Sequence, residues 1–157
     1  MRGTMVCGVS DSKEGRAAVE LGVALSERLG LRLVLAHVVQ GLYPHDVKAD
    51  GPESIARKGD RIQAERLIAR LAEEYGVAAT AECRAAVGDR AALLGQIAAE
   101  EAADVIVVGS RARGWRGRGL ESRLADELKA ATKVPVLIAP PRSQPRPRMP
   151  ATNGVRG

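Results

Sequence analysis

Val105-Ile106-Val107-Val108 runs without a polar interruption into Gly109. A strand apolar on both faces must be buried on both faces, and a parallel sheet covered by helices is the architecture that does this. After Gly109 the chain reads Ser110-Arg111-Ala112-Arg113-Gly114-Trp115-Arg116-Gly117-Arg118-Gly119, four arginines and no acid, before a helical stretch and a second apolar run from Val134 to Ala139. A glycine that closes an apolar strand ahead of a helix start is where α/β folds hold phosphate groups. An anionic ligand is the first expectation.

The rest of the chain alternates in the same way. Met5 to Val9 is a short apolar strand, and Ser10-Asp11-Ser12 offers caps for a helix whose stripe is Ala18, Leu21, Leu25 and Leu29, stopping at Gly30. Leu33 to Val39 is a second strand, residues 40–51 with Pro44 and Gly51 read as loop, and Ala64, Leu67, Leu71 and Tyr75 mark a long charged helix ending at Gly76. From Val77 to Ala86 apolar and polar residues alternate, which predicts a half-exposed strand at a sheet edge. Asp89 can cap a helix through Leu93, Leu94, Ile97 and Ala98.

The sum is β-α-β-α-β-α-β-α-β, and right-handed crossovers leave few ways to arrange it. With the alternating strand at one edge and Pro135, which lacks an N–H, near the start of the last strand, the expected fold is an open five-stranded parallel sheet of order 3-2-1-4-5. Helices cover both faces, as in Rossmann-like and flavodoxin-like proteins. Strands 1 and 4 then flank the point where the chain reverses direction across the sheet. Ligands bind beyond the carboxyl ends of strands there, which brings Gly8-Val9-Ser10 beside Gly109-Ser110.

Composition narrows the function. The 157 residues suit one domain, expected over residues 1–140. Residues 141–157 form a Pro/Arg-rich tail whose composition predicts disorder. The net charge of +5 resembles a nucleic-acid signal, but four arginines of that tail carry most of it and leave 20 basic against 19 acidic residues in the body. With one Trp, two Tyr and no Phe, stacking platforms for single strands are missing, so no specific nucleic acid is expected. Cys7 and Cys83 lie in apolar runs without metal or redox spacing and read as buried free thiols, pointing to a reducing compartment. No apolar run is long enough for a signal h-region or a membrane span, so the expected location is cytoplasmic.

Taken together, Gly8-Val9-Ser10-Asp11-Ser12, Leu35-Ala36-His37-Val38-Val39, Asp104 through Gly109-Ser110-Arg111, and Val134-Pro135-Val136-Leu137 resemble the universal stress protein family. The resemblance implies a small stress-response regulatory protein, dimeric through its last strand, Val134 to Ala139. It also implies a site for ATP or another adenine nucleotide. The family's nucleotide binders carry Gly-x2-Gly-x9-Gly-Ser/Thr and an Asp at the end of strand 1. Laid on this chain, Gly109 matches, whereas Ala112, Ser122, Arg123 and Ser10 stand in the other four places. Val38 falls where the family's backbone holds adenine. The residues carried over as binding positions are Gly8, Ser10, Val38, Val108, Gly109, Ala112, Ser122, Arg123 and Leu124.

Two readings follow from those departures. In the first, the protein is a dimeric binding module with a degenerate or altered nucleotide-phosphate site. In the alternative, it is a working ATP-binding switch with slow or incidental hydrolysis. The arginines are then either a solvated loop face or a replacement grip on phosphate. Trp115 could cover adenine, meet a dimer partner or stand in solvent. No catalytic residue is expected: His37 sits inside an apolar strand, His45 has no second ligand at metal spacing, and Walker A, Gly-x-Ser-x-Gly and complete Gly-x-Gly-x-x-Gly motifs are absent.

Overall fold

In the computed structural model, residues 2–40, 52–110 and 123–141 are described, with main chain alone for 52–57. The elements are β1 (Thr4–Gly8), α1 (Lys13–Leu29), β2 (Arg32–Val39), α2 (Pro52–Glu74), β3 (Glu82–Val87), α3 (Arg90–Glu100), β4 (Val105–Gly109), α4 (Arg123–Ala131) and β5 (Val136–Ala139). All five strands pair in parallel, in the order β3-β2-β1-β4-β5 expected from the sequence.

The two faces of the sheet make two cores because side chains alternate along each strand. Met5, Cys7, Leu33, Leu35 and Val107 pack with α1 and α2 on one side. Val6, Val34, Ala36, Val38, Ile106 and Val108 pack with α3 and α4 on the other. At the amino edge of the sheet, the Asp104 carboxylate accepts from the Thr4 N–H at 2.8 Å, and the Asp104 N–H donates to the Thr4 carbonyl. This ties the starts of β1 and β4 together. Nearby, Glu101 joins Arg32 and Arg84, each at 2.7 Å, while Arg32 also reaches Glu82 on the edge strand.

Several local expectations are met. Ser12 caps α1 by accepting from the Gly15 N–H at 3.0 Å, and Asp89 caps α3 through the Ala92 N–H at 2.9 Å. Gly30 closes α1 with φ 65°, a left-handed turn that a side chain would resist. Pro135 stands just before β5, where its carbonyl still accepts from the Ile106 N–H.

Five expectations are corrected, in whole or in part. The α1 stripe holds only in part: Ala18 is buried and Leu21 and Leu25 pack partly buried against the core, but Leu29 is 65% exposed, and Gly15, Val19, Gly22 and Ser26 are buried as well. Small residues win because the helix lies close, and a Cβ on Gly22 would come 3.1 Å from the Cys7 sulfur. In α2, Ala64 and Leu71 are buried as expected, Leu67 and Tyr75 are partly covered, and Ile68 and Ala72 are buried in addition. β3 begins at Glu82, not Val77. Val77 is buried as the stop of α2, its N–H donating to Ala72 and its carbonyl accepting from Ala81 in a turn. Cys83 is exposed on the edge strand, whereas Cys7 is fully buried and donates to the Ala18 carbonyl at 3.1 Å. β5 is also shorter than read, starting at Val136.

Candidate functional site

The carboxyl ends of β1, β2 and β4 open into a cleft of about 590 Å³ at the reversal point of the sheet. Its floor is Gly8, Val9, Ala36 and Gly109, the ends of the three strands. One wall is the start of α1 with Ser10, Ser12, Glu14 and Gly15. The other is built from Asp89, Arg90 and Leu94 of the α3 start and from Arg123, Leu124 and Glu127 of α4.

Two glycines make the near wall fit. A Cβ on Gly109 would stand 2.6 Å from the Glu14 carbonyl carbon, and one on Gly15 would stand 2.5 Å from the Ser10 nitrogen. Both neighbours are backbone and cannot rotate away. The first turn of α1 therefore lies directly against the ends of β1 and β4. Ser10 is fixed there by a hydrogen bond between its hydroxyl and that of Ser12 at 2.7 Å, and Ser12 in turn holds Gly15. Beside Gly109, Ser110 is fully buried and donates to the Ala139 carbonyl at 2.8 Å, so it fastens β4 to β5 rather than facing a ligand.

At the β2 end, His37 Nδ1–H donates to the Val9 carbonyl at 2.7 Å. Burial holds its pKa below the ordinary histidine value, opposed by the Val9 bond and reinforced by the charge of Arg90. The hydrogen bond satisfies a histidine that the sequence placed inside an apolar strand. Arg90 Nε donates to the Val38 carbonyl at 3.3 Å. Across the cleft, Arg123 is 95% exposed and pairs with Glu127 one turn along at 3.3 Å.

Of the nine positions carried over from the sequence, six line this cleft: Gly8, Ser10, Val38, Gly109, Arg123 and Leu124. Val108 lies one residue behind it, fully buried in the core under α3 and α4. Ala112, Ser122, the arginine-rich loop, Trp115 and His45 lie outside the described residues. Glu14, Gly15, Asp89, Arg90 and Glu127 were not anticipated. Asp89 was read only as a cap, and its neighbour Arg90 could have been found by following α3 back to the sheet end. Among the described residues no cluster of three or more metal-ligating side chains occurs.

The universal stress protein family model matches residues 1–140. The chain belongs to that family. It is 32% identical to a universal stress protein of Mycobacterium tuberculosis over 146 residues, covering 88% of this chain and 49% of the relative, so it spans about half the length of that curated protein. Solved structures share the fold at lower identity. Universal stress protein UspA from Lactobacillus plantarum superposes with a TM-score of 0.70 at 17% identity, covering 88% of this chain and 99% of that one. A universal stress protein family member of Arabidopsis thaliana, with AMP bound, gives 0.58 at 19% identity, covering 95% and 98%. Among the described residues, no helix is long and apolar enough to cross a membrane.

Proposed function

We propose that the protein is a nucleotide-responsive regulatory binding module that acts as a homodimer. The observation that carries the ligand reading is the cleft at the reversal point of the sheet, where six of the nine positions implied by the family meet. AMP, which the Arabidopsis relative holds, and ATP are the first ligands to test. Phosphate groups would lie toward Gly109 and Arg123, and the base toward Val38.

The dimer reading is supported by β5. It is an edge strand of the sheet, and Leu137 on it is 43% exposed between partly buried Val136 and Ile138. An apolar edge of this kind gains by being covered with a second copy. Binding without turnover is the role proposed for the cleft; His37, whose Nδ1–H donates to the Val9 carbonyl, is read there as a strand residue tying β2 to the end of β1.

Titrating AMP and ATP calorimetrically into nucleotide-stripped protein at two salt concentrations tests the ligand reading. Saturable binding that weakens with salt and in Arg123→Ala is the expected result, and absence of binding at millimolar nucleotide would overturn it. Sedimentation at micromolar protein tests the dimer; a strict monomer would remove it. Phosphate release from ATP above the buffer rate, abolished by a cleft variant, would favour the alternative, an ATP-binding switch with slow hydrolysis.

A further inference from the structure

The base end of the cleft carries a residue whose chemistry bears on which base it takes. Along β2, main-chain groups alternate in direction: the Val39 carbonyl accepts from Gly88 on the β3 side, and the Ala36 carbonyl accepts from Val9 on the β1 side. Val38 shares the parity of Ala36, but β1 ends at Gly8. Its carbonyl therefore opens at the reversal point as an acceptor for a base. Arg90 occupies it, with Nε at 3.3 Å.

Arg90 is the first residue of α3, one helical turn before buried Leu94, which also lines the cleft. This spacing keeps the arginine stem on the cleft side. Among the described residues no carboxylate pairs with its guanidinium, and the neighbouring Asp89 carboxylate is engaged in capping the Ala92 N–H. Arg90 thus lines the cleft beside Val38, and among the described residues no anion satisfies its Nη donors.

We infer that Arg90 sets the base preference of this cleft toward a purine with a 6-oxo group over one with a 6-amino group; the inference rests on the nucleotide reading above. A 6-amino group needs an acceptor, and one of the two lone pairs of the Val38 carbonyl already holds the Arg90 donor, so an amino group approaching the other meets a cation. A 6-oxopurine instead offers O6 and N7 as two adjacent acceptors, which a planar guanidinium matches with two hydrogen bonds. A 6-aminopurine would set donor against donor at the same place.

IMP and AMP differ at the 6-substituent and, with it, at N1, which carries a hydrogen in IMP and is an acceptor in AMP, so their calorimetric titration into the full chain is compared with the same pair in Arg90→Met, which assigns any difference to the guanidinium. The wild type is expected to bind IMP about tenfold more tightly than AMP, within the discrimination that a two-bond arginine–purine pair supplies. Arg90→Met, which keeps the stem and removes the fork, is expected to lose that preference or reverse it. Arg90→Lys is expected to lose most of it as well, since charge is kept without the fork. Melting curves of both variants check that they fold; Arg90 is exposed, and both should melt near the wild type. AMP bound as tightly as IMP by the wild type, or a ratio unchanged in Arg90→Met, would overturn the inference and leave the nucleotide reading standing. Binding of neither nucleotide would remove both.

Discussion

Replacing Gly15 with Ala and, separately, Gly59 with Ala should change stability in opposite directions, although the two substitutions are chemically identical and both lie in helices. At Gly59, in α2, a new Cβ meets nothing within 4 Å. Only the helix propensity changes, and alanine in a helix interior is favoured over glycine by about 0.5–1 kcal/mol. At Gly15 the new Cβ would stand 2.5 Å from the Ser10 nitrogen and 2.6 Å from its carbonyl oxygen, with the Ser10 hydroxyl closer still. Ordinary contact begins near 3.4 Å, so the Ser10 segment or the first turn of α1 must move by about 1 Å. Forced overpacking of this kind costs about 1–3 kcal/mol, and the propensity gain in a first turn offsets only part of it. For a chain of this size about 2–4 °C follows each kcal/mol. Gly15→Ala should melt about 3–8 °C below the wild type and Gly59→Ala about 1–4 °C above it. Circular dichroism melts, supported by urea titration, read both. A Gly15→Ala protein as stable as the wild type would refute the tight approach of α1 to Ser10, and with it the near wall of the cleft.

Glu101, with a side chain 14% exposed between Arg32 and Arg84, has its pKa lowered by the Arg32 hydrogen bond above all, with Arg84 adding to it and burial opposing it. Because its folded pKa is depressed, its contribution is fully present above the unfolded value near 4.3 and is lost as pH falls through the folded value. Glu101→Gln should cost about 1–3 kcal/mol at pH 7 and show a smaller additional loss below about pH 4 than the wild type, measured by urea denaturation across pH. Ala102, at φ 51°, sits in the left-handed region between α3 and β4; Ala102→Gly should stabilise by about 0.5–1 kcal/mol, read as a higher urea midpoint. Cys83 should react with a thiol reagent in the native protein and Cys7 only after unfolding, since burial raises the Cys7 thiol far out of its usual range. Rapid loss of both thiols, counted by mass spectrometry, would contradict the packing of α1 on β1.

Much of the fold was legible because parallel strands leave a strong mark. Val105 to Val108 has no polar residue to expose, and alternating strand and helix signals admit few right-handed topologies. What misled was alanine. Val77-Ala78-Ala79-Thr80-Ala81 alternates as a strand would, yet the small side chains fit equally well in the turn that leaves α2, and only the Val77 contacts with Ala72 and Ala81 decide between them. Part of the α1 face was missed for a related reason: leucines stand out in a sequence, whereas closeness to Cys7 of β1 selects Gly22. The position of the cleft followed from topology. Arg90 could not be weighed in the same way, because its contact with Val38 joins residues 52 positions apart.

Gly109 shows how a retained motif residue can mislead about ligands. It alone matches the family's glycine pattern in this chain, and the matching position is associated with phosphate. Its missing side chain nevertheless points at the backbone of Glu14, where a Cβ would stand 2.6 Å from the carbonyl carbon and 3.0 Å from the Glu14 Cβ. A helix start pressed against a strand end requires a glycine whether or not a nucleotide ever binds. Gly109→Ala should accordingly lower the melting temperature of nucleotide-free protein by about 2–8 °C, since about 1–3 kcal/mol of overpacking falls on two backbone segments that both support the cleft. The assay is a thermal melt of stripped protein in phosphate-free buffer, with no ligand added. If the ligand-free protein instead melted unchanged and only nucleotide affinity fell, the glycine would be serving the ligand after all. A loss of stability without ligand means that Gly109 is required by the seating of α1 against β4, so its match to the family pattern is by itself no sign of a nucleotide.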